Sequence, residues 1–512
     1  MVASGFWQKR SLTRLKDCSK GATNAASLTF RQSIFPICLV TILFFLWGFS
    51  YGLLDTLNKH FQNTLKITRS RSSGLQVAYF GAYPIASLGH AAWILRHYGY
   101  RATFIWGLFL YGLGALLCIP AIMGHSFSGF CFCIFIIGNG LGSLETAANP
   151  YITVCGPPKQ AELRINLAQA FNGIGGIVAP LLGSYVFFGF DNEEKALQNV
   201  QWVYMSIAIF VFFMATVFFL AEIPEITDED MALQEAEAAK KNHEAVMGTE
   251  AYQVHVEARP HAIGPAPPSE DQPFRKQYRL FHAAFSEFCY TGAQVAVGSY
   301  FINYVTETRP NTDSALAAKF LAGAQAAFAV GRFIGVGIMT CIRPRKVLLV
   351  FMTMCWVFTA PAITQRGNVG MSMLYVVLFF ESICFPTIVA LGMRGLGRHT
   401  KRGSGWIIAG VCGGAVVPPL LAVVADSNGG KTGTAVAMVV PMVFFLISWT
   451  YAMSVNFWGW YRRTVDAFAP NEETAGRRGE AVELEKKGDV DGTGVVKPVT
   501  DVEKMSDVKL VD

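Results

Sequence analysis

Long apolar segments alternate with short polar segments over most of the chain. Twelve of the apolar segments have roughly the twenty residues that an α-helix needs to cross the hydrocarbon core of a membrane. The pattern therefore predicts an all-α membrane protein with twelve transmembrane helices. We call them spans one to twelve and expect them at residues 34–60, 74–94, 101–121, 127–155, 164–188, 202–221, 279–305, 315–341, 346–366, 369–394, 403–425 and 434–461.

Three segments lack this apolar pattern, at residues 1–33, 222–278 and 462–512. The first is basic, and the last is charged and poor in aromatic residues, so both are predicted to be disordered cytoplasmic tails. The middle segment passes from Glu-, Lys- and Ala-rich sequence into a Pro-rich stretch, which predicts a short amphipathic helix followed by a flexible linker. The chain is thus expected to form two six-helix halves, residues 34–221 and 279–461, joined by that linker.

Composition supports the membrane assignment and argues against several other classes. Of 512 residues, 52% are hydrophobic and 15% are charged, with a mean hydropathy of +0.36, which is unlike a soluble enzyme of this size. The net charge of +6 is modest, and outside the loops and tails the basic residues form no stripe of the kind that binds nucleic acid. The eleven cysteines show no metal-ligand spacing and are expected to pack within the membrane. No cofactor or metal is expected, and no nucleophile–base pair or phosphate-binding loop indicates an enzyme.

Lysine and arginine residues predict the orientation of the chain, because the cytoplasmic loops of membrane proteins carry an excess of them. They occur in the loops that follow even-numbered spans, as at Arg96, Lys159 and Arg343, but the loop after span one is also basic, at residues 66–71. The basic N-terminal tail and the basic pairs in the linker and after span twelve decide the matter. Both termini and the linker are therefore expected on the cytoplasmic side.

An internal repeat also supports two related halves. Glu145 precedes Pro150 by five residues in span four, and Glu381 precedes Pro386 by five residues in span ten. The sequence Gly-Gly-x-Val-x-Pro follows each proline in the next span, at 175–180 and at 413–418. Two such matches, six spans apart, predict a six-plus-six duplication about an axis along the membrane normal.

Asp55 is a candidate ligand-binding residue near one end of span one. It shares a helix face with Trp47 and Tyr51, because the three residues are spaced by four. An aromatic ring that stacks on a sugar, beside a carboxylate that accepts hydrogen bonds from hydroxyl groups, suits a polyhydroxyl ligand. The alternative is that Asp55 caps the end of the helix and faces water, although Leu57 and Phe61 continue the apolar pattern beyond it.

Glu145 is predicted near the middle of the membrane, about 16 Å from the end of span four at a rise of roughly 1.5 Å per residue. A charged group at this depth is costly, so a carboxyl group there is expected to face a cavity and to bind and release a proton. The alternative is a buried carboxyl group that is hydrogen-bonded to span five, for instance through Arg164 or Asn166. We expect Asp55 and Glu145 to couple proton movement to substrate binding.

Amide side chains mark one face of span five. Asn166, Gln169 and Asn172 are spaced by three and so lie along the same side of the helix. Amides both donate and accept hydrogen bonds, as a polyhydroxyl ligand requires, and we predict that Gln169 and Asn172 bind substrate. The alternative is hydrogen bonding between helices, which membrane bundles use routinely.

Span seven carries a similar polar stripe. Tyr290 and Gln294 are predicted to bind substrate, whereas Glu287 lies nearer the cytoplasmic end, where it could simply meet water. Glu381 has two interpretations, as a counterpart of the glutamate in span four or as the partner of a nearby cation.

Dispersed segments of the chain carry a resemblance to a known family. They are FFLWGF followed by Asp55, GLGSLETAANPYITVCGP at 140–157, RINLAQAFNGIGGIVAP at 164–180, FCYTGAQ at 288–294, GRFIG at 331–335, FPTIVALGMRGLG at 385–397 and GGAVVPP at 413–419. Together they resemble the fucose:proton symporter family of the major facilitator superfamily. The resemblance covers residues 34–460 and omits both tails.

The resemblance implies alternating access, with a sugar and a proton bound between the two six-helix halves. It also implies that Asp55 and Glu145 are the proton and sugar residues and that Gln169 and Asn172 line the cavity. Arg332 would then act on conformation rather than on substrate, by locking helix ends through ion pairs at the cytoplasmic end of span eight.

Two departures from the pattern of the bacterial fucose permease leave the sugar open. That pattern has asparagines just ahead of the span-one aspartate, where this chain has Tyr-Gly-Leu-Leu at 51–54, and it has uncharged residues in place of Glu287 and Glu381. L-Fucose, glucose, galactose and other monosaccharides are all candidates. The long linker and charged tails are typical of a eukaryotic, and specifically a fungal, member.

The leading hypothesis is a secondary active transporter that imports a monosaccharide with protons, as a monomer in the lipid bilayer of the plasma membrane. A drug or organic-ion exporter on the same fold is one alternative, and it would favour a more aromatic cavity with fewer amides. A membrane sugar sensor that does not transport is the other, and its signalling tail would be longer than residues 462–512. Uptake of labelled sugars separates the three.

Overall fold

The computed structural model describes residues 30–155, 161–186, 193–221, 223–225, 273–396 and 399–466. Within these ranges every regular element is a helix, and no strand occurs. The first half contains Phe30–Thr64 (span one), Gly74–Gly81, Ile85–His90 and Ala91–Met123 (spans two and three), Phe127–Val154 (span four), Ala161–Val186 (span five) and Glu193–Leu220 (span six). The second half contains Tyr278–Ser299 and Phe301–Thr308 (span seven), Ser314–Cys341 (span eight), Pro344–Thr364 (span nine), Gly367–Glu381 and Cys384–Met393 (span ten), Thr400–Ala409, Gly410–Ala415 and Val417–Asn428 (span eleven), and Gly433–Ala437 and Val439–Phe457 (span twelve).

Each predicted span is helical over most of its described residues. Ten helical runs in those residues are long and apolar enough to cross a membrane. Spans two and three share one of the ten, because they follow each other within the run Arg69–Met123, with a tight turn at Gly99 between them. Span seven is absent from the ten because polar residues such as Arg279, His282 and Glu287 lower its hydropathy.

The turn at Gly99 separates spans two and three. Its φ of +87° is unstrained in glycine but costly for other residues. The helix that restarts there is capped from beyond span six, where Glu225 accepts hydrogen bonds from the main-chain N–H groups of Tyr100 at 2.8 Å and of Arg101 at 3.0 Å. A carboxylate in this place satisfies N–H groups that have no partner within the helix.

Four spans of the second half are interrupted, which the apolar pattern does not predict. Span seven divides at Tyr300, span ten divides between Glu381 and Cys384, span eleven contains a 3-10 segment at Gly410–Ala415, and span twelve divides at Met438. That segment, GVCGGA, is rich in glycine, which weakens α-helix and allows the backbone to tighten locally. The break in span ten leaves the main-chain oxygens of Glu381 and Ser382 as acceptors for the buried side chains of Tyr290 and Arg332.

The internal repeat is visible in how spans one and seven meet spans five and eleven. Gly175 of span five packs against the carbonyl oxygen of Phe45 and the nitrogen of Phe49 in span one. Gly413 of span eleven packs in the same way against the carbonyl oxygen of Phe288 and the nitrogen of Gly292 in span seven. A side chain at either glycine would clash with that backbone, so the close approach of both helix pairs depends on its absence.

The two halves contact each other at both ends of the bundle. At one end, which we call the Arg69 end, Arg69 contacts Glu307 of span seven at 2.7 Å and Asp426 of span eleven at 3.1 Å. At the opposite end, the ammonium group of Lys401 in span eleven lies 5.3 Å from the ring centre of Tyr100 in span three.

Most of the predicted tails and linker fall at 1–29, 226–272 and 467–512, which lie outside the described residues, as does the predicted amphipathic helix. The division of the chain into tails, halves and linker stays a prediction.

Candidate functional site

Asp55 lies between the two halves rather than in water. It is 1% exposed, and its Oδ1 accepts a hydrogen bond of 2.7 Å from the hydroxyl group of Ser299 in span seven. Span one continues beyond it to Thr64, so the alternative in which Asp55 caps the helix is wrong. The carboxyl group is therefore placed where a movement of one half against the other would change its contacts.

Other residues of the first half complete this contact. Gln76 donates a hydrogen bond of 3.1 Å to the Ser299 hydroxyl oxygen, and Asn58 donates one of 3.1 Å to the Ser299 carbonyl oxygen. Gly298 leaves room for the first half, since a Cβ there would lie 3.0 Å from Asp55 Oδ2. The sequence gave no indication of these partners, because a polar residue in an apolar span does not show which helix it meets.

Glu145 is 4% exposed in the middle of span four. Its Oε1 accepts a hydrogen bond of 3.5 Å from the Asn149 side chain, one turn further along the helix. Arg164, which the sequence offered as an alternative partner, donates to the main-chain oxygens of Ile152 at 3.1 Å and Thr153 at 2.7 Å. A cavity of about 10 Å³ borders Glu145, which is near the smallest that can hold one water molecule.

Trp47 connects the surroundings of Glu145 to the interface between the halves. Its side chain lines the same small cavity, and its indole N–H donates a hydrogen bond of 2.7 Å to the hydroxyl group of Tyr83 in span two. Its ring lies 5.6 Å from the ring of Phe385 in span ten. The predicted face of span one, with Trp47 at one end and Asp55 at the other, therefore looks towards the second half.

Gln169 and Asn172 face the second half through a buried arginine. Arg332 Nη1 donates hydrogen bonds to Gln169 Oε1 at 3.1 Å and to Asn172 Oδ1 at 3.2 Å, and it also donates to the Gln169 carbonyl oxygen. In this structure both amide side chains therefore form hydrogen bonds between helices, which was the alternative to substrate binding. Their binding of substrate stays a prediction. The neighbouring Asn166 is fully buried.

The expected place of Arg332 was wrong. Span eight continues for nine residues beyond it, to Cys341, and the side chain is 1% exposed. Its described hydrogen-bond partners are amide and carbonyl oxygens rather than carboxylates, including the Ser382 carbonyl at 2.6 Å. A buried guanidinium group must have its N–H groups satisfied, and the interruption of span ten supplies one of the acceptors. A role for Arg332 in conformation stays a prediction.

The residues predicted on span seven have different surroundings. The hydroxyl group of Tyr290 is buried and donates a hydrogen bond of 2.6 Å to the Glu381 carbonyl oxygen, within the second half. Gln294 is partly exposed. Glu287 is fully buried and accepts a hydrogen bond of 2.5 Å from Thr291, so the alternative in which it meets water is wrong.

Glu381 is 1% exposed, and its Oε1 has no hydrogen-bond partner in the part of the chain that the structure describes. Arg332 binds the carbonyl group of the adjoining Ser382 instead. Among the predicted site residues, Asp55 thus contacts Ser299 of span seven, and Gln169 and Asn172 contact Arg332 of span eight.

Comparisons with known proteins agree with this architecture. The chain matches the family model described as Major Facilitator Superfamily over residues 40–419. It is 30% identical over 443 residues to the L-fucose-proton symporter of Escherichia coli (strain K12), covering 82% of this chain and 93% of that protein. It is 31% identical over 406 residues to the Glucose/galactose transporter of Brucella abortus biovar 1 (strain 9-941), covering 77% and 89%.

Solved structures give the same result. The crystal structure of the transporter FucP in the outward conformation superposes with a TM-score of 0.62 at 30% identity, covering 82% of this chain and 98% of that chain. The proton:xylose symporter XylE bound to 6-bromo-6-deoxy-D-glucose shares the fold, with a TM-score of 0.61 at 11% identity, covering 86% and 100%. The chain belongs to the major facilitator superfamily.

Proposed function

We propose that this protein is a secondary active transporter that imports a monosaccharide together with protons by alternating access. The observation that carries the proposal is the burial of two carboxyl groups, Asp55 and Glu145, beside the interface between the two halves. Its relatives include proteins named as an L-fucose-proton symporter and a glucose/galactose transporter, which supports a sugar as the substrate.

Separation of the halves at the Arg69 end would break the contact between Asp55 and Ser299 and open Asp55 to the cavity. Asp55 would then take up a proton, and Glu145, deeper in the same half, would release one towards the opposite end. With both carboxyl groups facing the cavity that opens between the halves, their titrations would be coupled and a pH profile would report the pair. Gln169 and Asn172 bind sugar hydroxyl groups when the halves part and Arg332 releases them.

The substrate is a hexose or deoxyhexose, with L-fucose, glucose and galactose as the first to test. The protein acts as a monomer in the plasma membrane, with both termini and the linker on the cytoplasmic side. It moves its substrate without chemical change and is not an enzyme, and it binds no nucleic acid.

The test is uptake by the purified protein in lipid vesicles with an alkaline interior. Labelled L-fucose, glucose and galactose are offered in parallel, with a protonophore as the control. We expect accumulation of at least one sugar, and we expect the protonophore to abolish it. Absence of transport for all three sugars and a wider monosaccharide panel, or accumulation that ignores the pH gradient, would contradict the proposal.

A further inference from the structure

The side of span seven that meets the first half is polar. Four residues spaced by four, three and four positions share this side of the helix: Glu287, Thr291, Gln294 and Gly298. Gly298 lies against Tyr51 and Asp55 of span one, which shows that this side faces the first half. Helix geometry therefore places Glu287 on the same side of span seven as Gly298, about three helical turns further along, where its Cβ also lies next to Gly410 of span eleven.

Glu287 is held in place but is not fully bonded. It is fully buried, and Thr291 donates a hydrogen bond of 2.5 Å to its Oε1. Its Oε2 has no hydrogen-bond partner within the described ranges. Leaving a buried polar atom without a partner costs free energy, and a ligand that supplies a hydroxyl group would recover it.

The first half offers a matching group. Glu145 of span four lies beside the same interface, because it borders the small cavity next to Trp47, whose ring contacts Phe385 of span ten. Tyr290, one residue before Thr291, points away from this side and bonds to the Glu381 carbonyl oxygen. The stripe that faces the first half is thus composed of Glu287, Thr291 and Gln294, and it differs from the one that the sequence predicted.

We propose that Glu287 determines sugar specificity by binding one hydroxyl group of the monosaccharide through its Oε2, from the side opposite Glu145. Thr291 is a positioning residue that holds Oε1 and leaves Oε2 to the sugar. This inference rests on the proposed function of sugar transport. It gives the two carboxyl groups different roles, since Glu145 binds and releases the proton and Glu287 binds a hydroxyl group of the sugar.

The test is a hydroxyl-by-hydroxyl comparison in lipid vesicles. Analogues of the best-transported hexose that each lack one hydroxyl group are offered to the wild type and to Glu287→Leu, which keeps the volume but cannot hydrogen-bond. We expect the wild type to bind one analogue roughly tenfold more weakly than the parent sugar. We expect Glu287→Leu to lose this discrimination at that one position and to keep it at the others.

Two further variants make the result decisive. Thr291→Val removes the hydroxyl group that positions Glu287, so the ratio of affinities for the parent sugar and the same analogue should become smaller. This variant tests the inference even if Glu287→Leu fails to fold. Asp313→Asn removes one exposed carboxylate that caps span eight and should leave the discrimination unchanged.

The outcomes are distinguishable. Discrimination in Glu287→Leu and Thr291→Val that equals the wild type overturns the inference, while transport by the wild type still supports the proposed function. Loss of proton coupling in Glu287→Leu, with discrimination intact, also overturns it and assigns the residue to the proton. Failure of the wild type to transport any sugar overturns the proposed function itself.

Discussion

Glu145 in span four and Glu381 in span ten occupy equivalent positions in the internal repeat, five residues before a proline, but their surroundings differ. Span four is one continuous helix around its proline, whereas span ten stops at Glu381 and restarts at Cys384. The carboxyl group of Glu145 accepts a hydrogen bond from Asn149, whereas it is the main-chain oxygen of Glu381 that accepts one from Tyr290.

The difference follows from the interruption of span ten. An interrupted helix exposes carbonyl groups that a continuous helix would use internally. Arg332 binds one of these, at Ser382, and from there reaches Gln169 and Asn172 in the first half. In the first half the carboxyl group of Glu145 borders a small cavity. In the second half a main-chain carbonyl group of span ten binds Arg332, which also contacts the first half.

The largest effect is expected from Glu145, with the equivalent Glu381 as its control. Glu145→Gln should abolish sugar accumulation driven by a pH gradient, because an amide keeps hydrogen bonding but cannot carry a proton. Sugar exchange at equal concentrations should persist. Glu381→Gln should still accumulate sugar, because its contact with Tyr290 uses the main chain. Accumulation and exchange are measured in the same vesicles, and a Glu145→Gln protein that concentrates sugar would refute the assignment.

The packing of the repeat is tested by Gly175→Ala and Gly413→Ala. Each added methyl group would clash with the backbone of span one or span seven, and overpacking of this kind costs about 1–3 kcal/mol of stability. Both variants should unfold at lower temperature than the wild type in a thermal unfolding assay. Gly337→Ala is the control, because no atom lies within 4 Å of a Cβ at that glycine. Tolerance of alanine in only one half would show that the two helix pairs are not equivalent.

A smaller effect is expected from Asp55→Asn. Asparagine imitates the protonated aspartate and can still bind Ser299, so the protein should fold, but the group can no longer release a proton. The initial rate of sugar uptake should therefore depend less on pH between acidic and neutral conditions, at matched expression. Asp313→Asn, at an exposed helix cap, should keep the profile of the wild type. An unchanged midpoint and shape in Asp55→Asn would remove Asp55 from proton coupling.

The smallest effects are expected from Gln169→Ala and Asn172→Ala. Each loses a hydrogen bond to the sugar in a partly hydrated cavity, worth about 1 kcal/mol, or roughly a fivefold rise in half-saturation. The measurement pairs the half-saturation concentration with the thermal unfolding temperature. Unchanged half-saturation together with lower thermal stability would show that the two amides serve only to bind Arg332.

The helical spans, the place of Glu145 in the middle of span four and the repeated glycine motif could be predicted from the sequence alone. A membrane-spanning helix must satisfy its backbone hydrogen bonds within itself and must be long enough to cross the bilayer, so its signal is contained in one short segment. The same local signal identified Asp55 as a polar residue on one side of span one, and Gln169 and Asn172 as polar residues on one side of span five. It could not predict that glycine-rich or proline-containing spans would break at Glu381 or tighten at Gly410–Ala415.

The tertiary structure decided which groups meet. Asp55 and Ser299 are 244 residues apart in the chain, and Arg332 and Gln169 are 163 apart, yet each pair is in contact. Arg332 was misplaced, and its contacts with Gln169 and Asn172 were not predicted, because the hydropathy of a segment does not depend on the rotation of its helix against distant helices. That rotation is set by close packing between spans, as at Gly175 and Gly413, and it determines which polar side chains face the interface between the halves.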